Sequence, residues 1–154
     1  RTLDQVRLEE LVGDALVLRV PDARTGQALG EQDLGLAKLT SAPKIVVIHT
    51  GWDQFFGSEK YLNHPFLTGS AAERLCGLGM RLLAIDTLSP DRTPAAGEQS
   101  DFAVHRAVLG SDRLIVENLR GLENVPDQVR LGFFPLKLTA VDGAPVRAVA
   151  FTES

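Results

Sequence analysis

The chain has 154 residues, 44% hydrophobic and 23% charged, a composition that argues against a disordered, collagen-like or coiled-coil protein. Sixteen basic against twenty acidic residues give a net charge of −4, and no two Lys or Arg are adjacent, so neither nucleic acid nor an anionic membrane is expected as a partner. The single cysteine, Cys76, excludes an internal disulfide and a Cys-rich zinc module, and apolar runs such as Ile45 to Ile48 are far too short to span a bilayer.

The length fits one domain over 1–154, in which a chain of this size buries roughly 68–70% of its unfolded surface. The chain opens Arg1-Thr2-Leu3-Asp4, without Met and without a signal region, so Arg1 is not expected to be the natural start of translation. Ala15 to Val20 reads as a strand closed by Pro21 and a turn over Asp22 to Gly26. Glu31 to Leu39, with leucines at 34, 36 and 39, is expected to be a helix. Lys44 to His49 is a continuous β-branched run and predicts a strand buried on both faces. Ser70-Ala71-Ala72-Glu73 has the form of a capping box, and the helix it opens ends at Gly77 and Gly79. Arg81 to Asp86 is a further strand, and Ser100 to Gly110 a helix with Ser or Asp at its start. Leu114 to Glu117 is a short strand, and Val129 to Ala140 with Val146 to Phe151 predicts a closing hairpin across Asp142-Gly143. Strands interleaved with helices predict an α/β protein with a mixed sheet.

Glu117 closes an apolar run and is expected to be half-buried, which for a carboxylate calls for a cation: an Arg, a Lys or a metal. The alternative is a strand-end Glu facing solvent or paired with Arg106. His105, twelve positions earlier on a helix, is placed to return to the same point, and imidazole with carboxylate suits Zn²⁺ or Mn²⁺. Two ligands fall short of the three that a catalytic metal site usually has, and a lone helical His is also a common hydrogen-bonded structural residue. Asp86-Thr87-Leu88-Ser89-Pro90-Asp91 sits at a strand end, where α/β sheets place ligands; it reads equally as a polar turn. Trp52 and Phe55-Phe56 follow another strand end and either line a pocket or cover the core. Cys76 falls on an apolar helix face and reads as core. His49 and His64 have no neighbour at ligand spacing, and there is no HExxH, P-loop, GxGxxG or GxSxG.

Several segments in order carry a resemblance: Val47-Ile48-His49-Thr50-Gly51-Trp52-Asp53, Tyr61-Leu62-Asn63-His64-Pro65, Ala84 to Asp91, His105 to Gly110, Ile115 to Leu119, Phe134 to Leu138 and Gly143 to Ala148. Together the chain resembles the cyclase family of metal-dependent hydrolases, which includes bacterial kynurenine formamidase (an arylformamidase) and isatin hydrolase. The resemblance implies a swivelling β/β/α fold, hydrolysis of an amide or lactam C–N bond, and a divalent metal, Zn or Mn. It assigns metal-ligand roles to His105 and Glu117, and leaves Thr50, Trp52, Asp86, Ser89 and Asp91 as pocket or supporting residues. It also implies a cytoplasmic homo-oligomer acting on a small molecule. The family's N-terminal H-x-G-T-H-x-D-x-P-x-H stretch, which carries further ligands and a catalytic histidine, is not in this sequence, and the front of the domain is expected to be missing. The alternative function is a non-catalytic relative that binds a small aromatic or carboxylate ligand near Trp52; a structural subunit completing another chain's site is a third. From the ligand roles that the resemblance assigns and from the unpartnered carboxylate, His105 and Glu117 are expected within roughly 3–5 Å of each other.

Overall fold

The computed structural model describes residues 1–95 and 97–152. Six strands form one sheet in the order β6-β5-β3-β1-β7-β8. They are β1 (Val12–Arg19), β3 (Ile45–His49), β5 (Leu82–Ile85), β6 (Leu114–Val116), β7 (Gln128–Pro135) and β8 (Val146–Phe151). The four strands from β1 to β6 are parallel, and β7 and β8 are antiparallel additions on the β1 side, so the sheet is mixed as expected. A second, two-stranded parallel sheet pairs β2 (Ala28–Leu29) with β4 (Phe66–Leu67); the sequence reading had no counterpart for it. Two residues per strand are too few to set up a period.

The buried strand at the centre explains its own composition. Ile45 to Ile48 are all 0% exposed because both faces of β3 are covered. A short helix, α1 (Leu8–Leu11), precedes β1. Val46 and Ile48 join Leu75, Met80, Leu83 and Val104 in a core under α2 (Gly69–Gly77) and α3 (Ala103–Leu109). Ile45 and Val47 face the other way, into a second core with Val17, Ala84, Leu122 and Phe133. Side chains alternating between two cores need apolar residues at every position, so no polar alternation survives.

Helix boundaries depart from the sequence reading at three places. The 31–39 segment is turns followed by a 3₁₀ turn at Leu36–Lys38, because Gly35 takes φ 63 and breaks any α-helix there. Helix α2 starts one residue before Ser70, with Thr68 as its N-cap: the Thr68 hydroxyl accepts from the Ala71 amide at 3.2 Å. Helix α3 starts at Ala103, not Ser100, for a reason given below. The β7–β8 hairpin is closed by a loop running 136–145, so Asp142-Gly143 lies within a long connection and is not a two-residue turn. Cys76 is half-buried against the first core. Among the described residues no helix is long and apolar enough to cross a membrane.

Candidate metal and substrate site

The chain leaving β5 passes beneath the start of α3 and fixes it from below. Asp91 is 5% exposed, and its Oδ1 accepts from the Val104 amide at 2.8 Å while Oδ2 accepts from the His105 amide at 3.0 Å. A carboxylate from another segment therefore satisfies the first free amides of α3, which is why the helix begins at Ala103. The same Oδ2 lies 2.6 Å from His105 Nδ1. On its far side the ring presents Nε2 to Glu117 Oε1 at 3.6 Å, with both side chains about one-third exposed at 31% and 32%.

Glu117 directly follows β6, and its backbone is pinned by the next two residues. The Asn118 amide donates to Thr87 O at 2.9 Å and the Leu119 amide to Ile85 O at 3.0 Å, holding the exit of β6 to the end of β5. Asn118 reaches this position with φ 58, a left-handed conformation that Asn tolerates better than most residues. Phe102, at the N-cap of α3, also has a positive φ, 46, and sets its ring edge-on to the His105 imidazole with centroids 6.0 Å apart.

The electrostatics agree with this geometry. The hydrogen bond to Asp91 raises His105 above the ordinary histidine value, against the opposing effect of burial. Burial pushes Asp91 up, but hydrogen bonds from the His105 ring and from the Val104 and His105 amides together hold it below the usual carboxylate range. Glu117 is raised, chiefly by burial, with His105 and the Ser89 hydroxyl pulling it back. Arg106 does not reach Glu117; its ion-pair partner is Asp101 at 3.5 Å.

His105 and Glu117 open onto a cleft of about 660 Å³, within the range of small-molecule sites. Its apolar walls include Leu3, Leu11, Leu109, Phe133, Pro135 and Val146. β6 and the β7–β8 hairpin stand at opposite ends of the strand order yet both line it, so the sheet curls round the cleft.

Thr50, Trp52 and Asp86 lie elsewhere. All three are buried, at 3%, 4% and 0% exposure, and belong to a clamp at the ends of β3 and β5. Asp86 accepts from the amides of Thr50, Gly51 and Trp52 and from the Thr50 hydroxyl, over 2.7–3.2 Å. Three consecutive amides converge on one carboxylate because Gly51 takes φ 72. His49 Nε2 faces Asp86 at 4.0 Å, while its Nδ1 accepts from the Arg19 guanidinium at 2.7 Å. One ligand atom from each of His49, Asp53 and Asp86 falls within 4.8 Å of the others, a spacing that a cation could use. The protein's own donors already occupy this set: Asp86 is saturated, Arg19 holds His49, and Asp53 Oδ2 accepts from the Gly121 amide at 3.2 Å.

Sequence reasoning gave His49 no partner; the signal it passed over was register. Ile48 pairs with Ile85, so the next residue on each strand, His49 and Asp86, meets its counterpart at the same sheet edge. Tyr61 was also passed over. Its hydroxyl lies 3.1 Å from Asp86 O and 3.0 Å from Asn118 Oδ1, tying the clamp to the loop behind Glu117. Burial, aided by the charge of Asp86, pushes the Tyr61 hydroxyl up to about 12. Because Tyr61 is the chain's one tyrosine, an alkaline titration followed by phenolate absorbance reads it directly. Its contribution to stability should be complete below the unfolded phenol value of about 10 and lost as pH rises toward the folded one. A midpoint near 10 in the folded protein would show that the hydroxyl is not buried in this way. His64, 2% exposed, accepts or donates only within the fold, to Pro65 O at 2.9 Å and Thr93 Oγ1 at 2.8 Å.

Comparison with known proteins is consistent in kind. The family model described as "Putative cyclase" matches residues 1–92. The kynurenine formamidase of Maricaulis maris is 38% identical over 118 residues, covering 76% of this chain and 53% of that protein. That of Delftia acidovorans is 34% identical over 100 residues, covering 65% of this chain and 42% of its own length. The chain thus spans about half the length of these relatives, or less. Among solved structures, an isatin hydrolase bound to the product analogue thioisatinate superposes with a TM-score of 0.84 at 22% identity, over 99% of this chain and 64% of that one. A potential metal-dependent hydrolase with cyclase activity gives a TM-score of 0.78 at 24% identity, over 100% of this chain and 72% of the other. At these identities the structures establish a shared fold.

Proposed function

The chain belongs to the cyclase family, and from that premise we propose that it forms part of a metal-dependent hydrolase that cleaves the C–N bond of a small amide or lactam. The observation that carries the reading is the pairing of His105 Nε2 with Glu117 Oε1 at 3.6 Å on the wall of a 660 Å³ cleft. That separation lies within what two ligand atoms on one cation span when each bond is about 2.0–2.2 Å. The donor types suit Zn or Mn, and both side chains line the cleft. In this reading His105 and Glu117 hold the cation, which when bound polarises the substrate carbonyl as a Lewis acid. Asn118 and Tyr61 set the backbone behind Glu117, and the apolar walls orient a planar substrate and exclude water from it. The further ligands and the proton-moving histidine that the family resemblance implies are proposed to come from sequence outside these 154 residues.

The test is hydrolysis by the whole protein of formylkynurenine-like amides and cyclic imides, with and without chelator. Chelator-insensitive turnover would overturn the metal dependence, and no turnover with any amide while a small aromatic carboxylate binds would favour the non-catalytic reading.

We extend the proposal to self-association. Leu136, Leu138, Phe134 and Phe151 are 58%, 42%, 40% and 48% exposed, concentrated on the hairpin at one edge of the sheet. Edge strands with exposed apolar side chains seek partners. Light scattering at micromolar concentration should show a dimer or larger species; a monodisperse monomer would contradict it.

A further inference from the structure

We propose that Asp91 is a positioning residue that sets the tautomer of His105, fixing the proton on Nδ1 and leaving Nε2 as a lone pair aimed at the cleft. The inference rests on the proposed function only for what Nε2 does; the tautomer itself follows from the hydrogen bonds. Asp91 Oδ2 stands 2.6 Å from His105 Nδ1, and a carboxylate oxygen accepts only, so Nδ1 must be the donor. Both Asp91 oxygens are fixed from below by amides, Oδ1 by Val104 at 2.8 Å and Oδ2 by His105 itself at 3.0 Å. The Asp91 amide is held in turn by Ser89 Oγ at 3.2 Å, so the carboxylate cannot swing away without undoing the helix start. With Nδ1 held by Asp91 and Phe102 packed edge-on to the ring, the imidazole is oriented with Nε2 as the nitrogen turned to Glu117.

The arrangement couples helix start and site through one side chain. The carboxylate that stands in for a side-chain N-cap of α3 also determines which nitrogen presents its lone pair to the cleft. A histidine whose second nitrogen donates to a carboxylate is both oriented and made a stronger donor to a cation, an effect typically worth about 10–100-fold in metal affinity.

The substitution Asp91→Ala removes the acceptor, so that nothing holds the proton on Nδ1. Asp91→Asn is the rescuing control: its carbonyl in the place of Oδ2 still accepts from both the His105 amide and Nδ1–H, and only the Val104 amide loses its partner. Long-range ¹H–¹⁵N correlation of His105 in the metal-free protein, at a pH where the ring is neutral, reads the tautomer directly. We expect Nδ1–H in the wild type and in Asp91→Asn, and a shift toward Nε2–H in Asp91→Ala. Titration with Zn²⁺ or Mn²⁺ alone should then show affinity lower by about 10–100-fold in Asp91→Ala.

Should Asp91→Ala fail to fold, the wild-type spectrum decides: a proton on Nε2 overturns the proposal. An unchanged tautomer in folded Asp91→Ala overturns it equally. A shifted tautomer with unaltered metal affinity supports the positioning role and instead removes His105 from the metal site, so the two readings fail separately.

Discussion

In the whole protein, Glu117→Ala and His105→Ala should each lower amide hydrolysis by at least about 10³-fold, while leaving the fold intact. The size follows from what each removes. A Lewis-acid cation stabilises developing charge by several kcal/mol, and removing a single preorganised electrostatic partner commonly costs 10²–10³ in rate. Losing one of a small set of ligands takes most of the cation with it, because metal affinity depends on the full donor set being held together. The fold should survive because both side chains are about one-third exposed, and the Asp91 carboxylate keeps its two amide partners when the His105 ring is gone. The 154 residues alone, offering His105 and Glu117, should bind Zn²⁺ or Mn²⁺ weakly and turn over poorly, since two donors leave the cation mostly hydrated. Side-by-side assays of both variants, the wild type and the short chain, with added metal and with chelator, read all of this. Wild-type turnover by either variant would remove that residue from the site. Chelator-sensitive turnover by the short chain comparable with that of the whole protein would show that no further ligands are needed.

What the sequence revealed and what it hid divide along the range of the interactions. β3 and β5 were legible because burial on both faces leaves an uninterrupted apolar run, a signal contained within five residues. The α/β class followed from alternation. The start of α3 was not legible, because its capping carboxylate, Asp91, is remote in sequence and the local Ser100 and Asp101 looked sufficient. The curl of the sheet was invisible for the same reason: it depends on β6 and the β7–β8 hairpin converging from opposite ends of the strand order. His105 and Glu117 were singled out by an unpartnered carboxylate and a lone imidazole, with the family resemblance giving them a shared role, and the structure brings them together at the distance expected. Thr50, Trp52 and Asp86 were grouped with them because strand ends in α/β sheets gather polar residues, whether those bind a ligand or tie the backbone. Here the amides that converge on Asp86 show the second use.

That second use makes Asp86→Ala the substitution with the largest expected effect on stability. Asp86 has no exposed surface, and its two oxygens receive every one of the convergent donors: the amides of Thr50, Gly51 and Trp52 and the Thr50 hydroxyl. Alanine would leave the buried Thr50 amide and the half-buried Gly51 amide without an acceptor and the Trp52 amide with only the Thr50 hydroxyl at 3.2 Å, and each unsatisfied buried group costs about 1–3 kcal/mol. It would also strand His49, whose Nε2 faces the carboxylate while Arg19 donates to its other nitrogen. The sum approaches the roughly 5–15 kcal/mol by which a domain is stable at all, so the variant should be largely unfolded or recovered only as aggregate. Asp86→Asn should be much milder: Oδ2 alone accepts from all three amides, so the Asn oxygen in that place keeps them, while the NH₂ in place of Oδ1 meets the Thr50 hydroxyl, which can accept from it. Thr50→Val is the informative control, since it removes one hydroxyl from the set and keeps every amide satisfied; about 1 kcal/mol should be lost. Denaturant unfolding of the three variants, followed by the fluorescence of the chain's one tryptophan, Trp52, which sits inside the clamp, gives the comparison. A cooperative transition for Asp86→Ala within about 1 kcal/mol of wild type would mean that the amides find other partners and that the clamp is dispensable.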